Sequence, residues 1–118
     1  MKYFTPLFLL FIYSCLNISI TENESKALDQ VKTYCDCTIN KTTKVKSTKT
    51  NNANSFEIEI NKSNRIDKGD LSEELKTIAN IFYNNLGDEK IQFDEIIIHY
   101  NDKQKTSKFL TKDLVMVE

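Results

Sequence analysis

The chain has 118 residues, room for one domain, with 16 basic and 17 acidic side chains and a formal net charge of −1. A nucleic-acid binder carries a basic excess for its phosphate contacts, and none is present, so that class is set aside. So are the dinucleotide and P-loop folds, because the only two glycines, Gly69 and Gly87, lie outside any phosphate-cradling motif.

Met1-Lys2 supplies a short positive start, and Tyr3 to Tyr13 is then almost wholly apolar, with Leu7 through Ile12 unbroken. No charge occurs between Lys2 and Glu22. This is the pattern of a signal-peptide core, and Pro6, Ser14, Asn17 and Ser19 make it a poor membrane span. The run Ile12-Tyr13-Ser14-Cys15 resembles the lipobox of bacterial lipoproteins, with Ile12 at the aliphatic position, Ser14 at the small one and Cys15 at the invariant one. Tyr13 departs from the usual small or aliphatic residue. The resemblance implies a diacylglycerol on the Cys15 sulfur, cleavage before it and acylation of the new amine. The acyl chains then hold the protein on the membrane, each buried methylene contributing about 0.8 kcal/mol. By the same resemblance, an aspartate after the cysteine would favour the inner membrane, so Leu16 implies the outer one. An ordinary cleaved signal and an uncleaved anchor are the competing readings. The expected organisation is a signal peptide over 1–14, a tether over 15–21 and a single α+β domain over 22–118. The 104 residues left after cleavage are enough for one modest core.

Thr21 with Glu24 fits a capping box, opening a helix over about 22–35 whose inner face carries Leu28, Val31 and Cys35. Residues 38–50, rich in Thr and Lys, read as an edge strand. After the turn Asn51-Asn52-Ala53-Asn54, the residues Phe56, Ile58 and Ile60 alternate with Glu57, Glu59 and Asn61, a half-buried strand. Lysines of the preceding strand are expected opposite those glutamates. Residues 64–69 read as a loop. Asp70 caps a second helix, about 71–86, with Leu71, Leu75, Ile78, Ala79, Phe82 and Leu86 on one stripe and Gly87 as its left-handed terminus. A central strand is expected from Ile91 and Phe93 through Ile96, Ile97 and Ile98 to about Asn101, and a returning strand from Lys103 to Thr111. The tail from Asp113 reads as a helical turn or one more strand. The order α-β-β-α-β-β implies two helices packed on one face of an antiparallel four-stranded sheet.

Chemistry has few footholds. Cys35 and Cys37 form a C-x-C pair that, outside the cytoplasm, reads as a disulfide or redox pair, or as two buried residues without turnover. With His99 they make at most three ligands, short of a tetrahedral metal site, so no metal and no cofactor are expected. His99 is the sole histidine and falls on the Ile97 face of its strand; Ser107, Asp94 and Asp102 carry nothing that marks a triad with it. The pairs Glu73-Glu74, Asp88-Glu89 and Asp94-Glu95 read as solvated charge. The expected protein is a small exported, lipid-anchored envelope protein that binds a protein or envelope component without catalysis, using the edge strand and exposed sheet face. Two alternatives stay open: a periplasmic immunity or inhibitor protein against a toxin or hydrolase, and a thiol redox or metal-binding module built on Cys35 and Cys37.

Overall fold

A computed structural model describes residues 20–50 and 52–114. Helix α1 (Glu22–Cys35) begins where Thr21 accepts the Glu24 backbone N–H at 3.1 Å and Glu24 accepts the Thr21 N–H at 3.0 Å, so both orphan donors are satisfied. It ends at Asp36, which adopts a left-handed conformation (φ 51°) and donates its N–H to the Lys32 carbonyl. Strand β1 (Cys37–Val45) follows immediately and turns through an exposed polar loop into β2 (Ser55–Ser63).

The segment expected to be a loop is a five-residue helix, α2 (Asn64–Lys68). An isolated helix this short does not nucleate. It forms here because the Ser63 hydroxyl accepts the Ile66 N–H at 3.1 Å while donating to the Cys35 carbonyl at 2.6 Å, and because Ile66 is buried. Helix α3 (Leu71–Asn84) is capped by Asp70, whose carboxylate accepts the Glu73 N–H at 3.0 Å. It stops two residues before the expected end. Asn85 takes the C-cap, and its side-chain amide donates to the Ile81 carbonyl at 2.7 Å. Gly87 does hold a positive φ of 65°, but it opens a 3₁₀ segment over Gly87–Gln92. That segment replaces the expected start of the next strand. Strand β3 (Glu95–Tyr100) and strand β4 (Lys105–Leu110) complete the sheet, joined through a tight turn at Asn101–Lys103.

The four strands lie in the order β1-β2-β3-β4. The hairpins β1/β2 and β3/β4 are antiparallel, but the central pair β2/β3 is parallel, so the sheet is mixed and the expectation of a purely antiparallel sheet is corrected. The reason lies in the connection. A two-residue turn reverses a strand, whereas the link from β2 to β3 carries two helices and returns the chain to the end of the sheet where β2 began. With α2 included, the order is α-β-β-α-α-β-β rather than α-β-β-α-β-β.

Parallel register sets like against like in the core: Phe56 beside Ile96, Ile58 beside Ile98, Ile60 beside Tyr100, all fully buried. Against this face pack Ala27, Leu28, Val31 and Cys35 of α1 and Leu75, Ile78, Ala79 and Phe82 of α3, in one cluster. Phe56 is held between Phe82, 4.5 Å between ring centroids, and Phe93, edge-on at 5.5 Å. Burying each such side chain contributes about 1.5–3 kcal/mol. Both long helices therefore sit on one side of the sheet, and the other side carries no helix among the described residues. None of the described helices is long and apolar enough to cross a membrane.

Candidate functional site

The open sheet face is built by alternation. Residues that flank each core side chain point the other way, so Glu57 and Glu59 on β2 and Ile97 and His99 on β3 face outward. Register extends this into cross-strand rows. Lys41, Glu59, His99 and Thr106 form one row, and Thr43, Glu57, Ile97 and Lys108 form the next. The sequence expectation of lysine opposite glutamate is met by Lys41 and Glu59. Lys44 instead pairs with Phe56 on the core-facing side and serves α1, as described below.

His99 is the hub. Its Nε2 lies 2.8 Å from Glu57 Oε1 on the adjacent row and its Nδ1 lies 2.9 Å from the Thr106 hydroxyl. A carboxylate only accepts, so Nε2 carries the proton; Nδ1 accepts from Thr106 when the ring is neutral and donates to it when the ring is charged. Beside it, Glu59 accepts from the Asn101 amide at 2.8 Å. That hydrogen bond, then the Asn40 side chain and the charges of Lys41 and His99, hold the Glu59 carboxyl below the usual glutamate value. These groups line a depression of about 280 Å³ with Gln104 and Lys105 on its rim. It is open to water. What it presents is a fixed pattern of carboxylates, imidazole, hydroxyls and lysine, suited to holding a polar ligand or protein surface by directional hydrogen bonds.

A second depression, about 580 Å³, lies where α1, α2 and α3 converge. Three of its lining residues engage one another. Tyr34 donates its hydroxyl to Glu74, and Arg65 lies 4.1 Å above the Tyr34 ring with its Nε 3.7 Å from Glu74. This cluster staples three helices together.

The sequence-predicted residues fall as follows. Cys15 lies outside the described residues. Cys35 and Cys37 form a disulfide across the α1–β1 junction, with Cα atoms 5.2 Å apart. Cys35 is fully buried and Cys37 half-buried, which restricts attack by an external thiolate. His99 is on the outer sheet face and Cys35 is in the core, so the three are not brought together, and no group of three metal-ligating side chains occurs among the described residues. Asp94 accepts the Asn54 N–H at 2.9 Å and Asp102 pairs with Lys62 at 3.4 Å, each away from the His99 ring. Thr106 and Glu57 carry no motif that marks them as site residues in the sequence. The alternation of β2 already placed Glu57 on the wet face, but only the pairing of β2 with β3 and of β3 with β4 sets it and Thr106 on either side of His99.

Comparison with protein-family models, curated proteins and solved structures returns no match for this chain.

Proposed function

We propose that this chain is an exported protein, held on the bacterial envelope by lipid on Cys15, that binds a protein or envelope component through its open sheet face. One observation carries the reading. Both long helices cover one side of the sheet, while the other presents the ordered array Lys41, Glu57, Glu59, His99 and Thr106 to solvent. A face with such fixed hydrogen-bond directions gives a partner specificity more than bulk affinity.

The test uses the full chain in its native envelope. A photo-crosslinking residue at Lys41, on the open face, is expected to give a discrete adduct. The same probe at Lys76, exposed on α3, is expected to give none, and Glu59→Lys is expected to abolish the Lys41 adduct. Indistinguishable patterns from the two positions would overturn the binding face. Incorporation of a labelled fatty acid that persists in Cys15→Ser would overturn the anchor.

A further inference from the structure

Three large apolar side chains are exposed among the described residues: Ile20 at 37 %, Leu110 at 38 % and Ile91 at 86 %. Far apart in sequence, they lie at one end of the molecule. Val45 at the end of β1 pairs with Ser55 at the start of β2, Ser55 with Glu95 at the start of β3, and Glu95 with Leu110 at the end of β4. The N-terminus of α1 is fixed to this same end by the ion pair of Glu24 with Lys44, 2.9 Å. The segment bearing Ile91 is fixed there too. The Thr21 hydroxyl donates to Glu89 at 2.5 Å, and the Asp94 N–H donates to the Asn54 carbonyl at 2.7 Å. Ile20 and Ile91 are each within two residues of the Thr21–Glu89 bond. The exposed loop carrying Lys46 and Lys49 projects from this end as well.

The chain emerges at the same place. From Cys15 to Thr21 is six residues, and a fully extended chain of that length spans about 20 Å. A lipid on Cys15 therefore holds this end of the domain within one short tether of the bilayer. We infer that this end docks on the phospholipid surface, with Ile91, Ile20 and Leu110 entering the headgroup region; the inference rests on the anchoring through Cys15 proposed above. Apolar burial drives the contact, because Glu22, Asp88, Glu89 and Asp94 offset Lys26, Lys46, Lys49 and Lys90 and leave no net attraction to anionic lipid. The docking also orients the candidate site. Asn101, Gln104 and Lys105, which line the His99 depression, lie at the opposite end of β3 and β4 from Leu110, so the depression stays on the open sheet face with part of its lining at the end far from the membrane.

The acylated full chain, purified from a bacterial host and reconstituted in phosphatidylcholine vesicles, tests this with a polarity-sensitive fluorophore on Ile91→Cys, on Asp88→Cys with Ile91 intact, or on Lys103→Cys. Headgroup-depth quenchers are expected to act several-fold more strongly at positions 91 and 88 than at 103, with no increase when anionic lipid is added. Equal quenching at all three positions, in protein that floats with the vesicles and carries acyl chains by mass spectrometry, overturns the docking and leaves the anchor standing. Protein that lacks acyl chains on Cys15 and does not float overturns both. A signal at 91 that vanishes on diluting the protein in the membrane assigns the patch to a second copy and likewise overturns the docking.

Discussion

The Glu24 carboxylate, fully buried, lies 2.9 Å from the Lys44 ammonium while also accepting the Thr21 backbone N–H at 3.0 Å. The residue that completes the capping box of α1 is thus also the counterion of Lys44 on the strand beyond the Asp36 turn, and the helix start and the sheet are fastened by one side chain. The two partners are not equivalent. Lys44 keeps about a fifth of its side chain exposed, whereas Glu24 has none. Lys44→Met leaves a buried carboxylate without its charge partner and is expected to cost about 3 kcal/mol. Glu24→Gln keeps the capping geometry and leaves an ammonium that water can reach, so about 1 kcal/mol is expected. Urea unfolding checks the order: both midpoints fall at unchanged slope, and the Lys44→Met midpoint falls further.

Tyr100 joins the end of β3 to the α2 region. Its buried hydroxyl accepts the Ser63 N–H at 2.9 Å and donates to Asp67 at 2.9 Å. Tyr100→Phe leaves the Ser63 N–H buried without an acceptor, at about 1–3 kcal/mol. Hydrogen exchange is expected to locate the loss, with faster exchange at Ser63 and Ile66 and little change in α1. Uniform protection equal to the parent chain would contradict it.

Lys62 hydrogen-bonds Asp67, and Tyr100 adds a second donor; together they hold the Asp67 carboxyl below the ordinary aspartate value. Asp67 in return, with Asp102, raises the Lys62 ammonium above the usual lysine value. A depressed carboxyl adds stability that is complete above its unfolded value and is lost as pH falls through the folded one. Asp67 and Glu59 therefore weaken the fold only on the acid side of the ordinary carboxylate range. Lys62 acts oppositely, its contribution present below the unfolded lysine value and lost as pH rises through the folded one. In Lys62→Met, the Asp67 side-chain carbon resonance is expected to titrate at higher pH than in the parent, and unfolding on the acid side to begin at higher pH.

The Cys35–Cys37 bridge closes a three-residue ring, so little chain entropy is removed from the unfolded state. Replacing both cysteines by alanine is expected to cost about 1–2 kcal/mol, near the low end for disulfides. Burial differs across the pair. After mild reduction of the folded protein, alkylation followed by peptide mapping is expected to modify Cys37 before Cys35.

Local rules carried far into this fold. The capping residues Thr21 and Asp70, the apolar stripes of both long helices and the alternation of Phe56, Ile58 and Ile60 are each written in contiguous residues, and each element stands where its pattern lies. The outward orientation of His99 and Glu57 follows from the same alternation. The local rules failed where a distant group decided the matter. Residues 64–68 carry no helical pattern, and their helix exists because Ser63 caps it and donates to Cys35. The stripe ending at Leu86 continues past the helix because Asn85 turns its amide back onto the Ile81 carbonyl. Ile91, apolar enough to enter a strand, sits in a 3₁₀ turn that tracks the start of α1.

What the sequence determined by itself is the two long helices, the four strands and which face of each is apolar, because helix and strand periodicity are properties of neighbours along the chain. What only the tertiary structure decided is the parallel pairing of β2 with β3, and with it everything that depends on register. Direction and register are chosen by how the helical crossover packs back onto the sheet, a long-range burial of apolar surface that no short window of residues encodes. That choice places Glu57, His99 and Thr106 in hydrogen-bonding contact and gathers Ile20, Ile91 and Leu110 at the end where the tether begins.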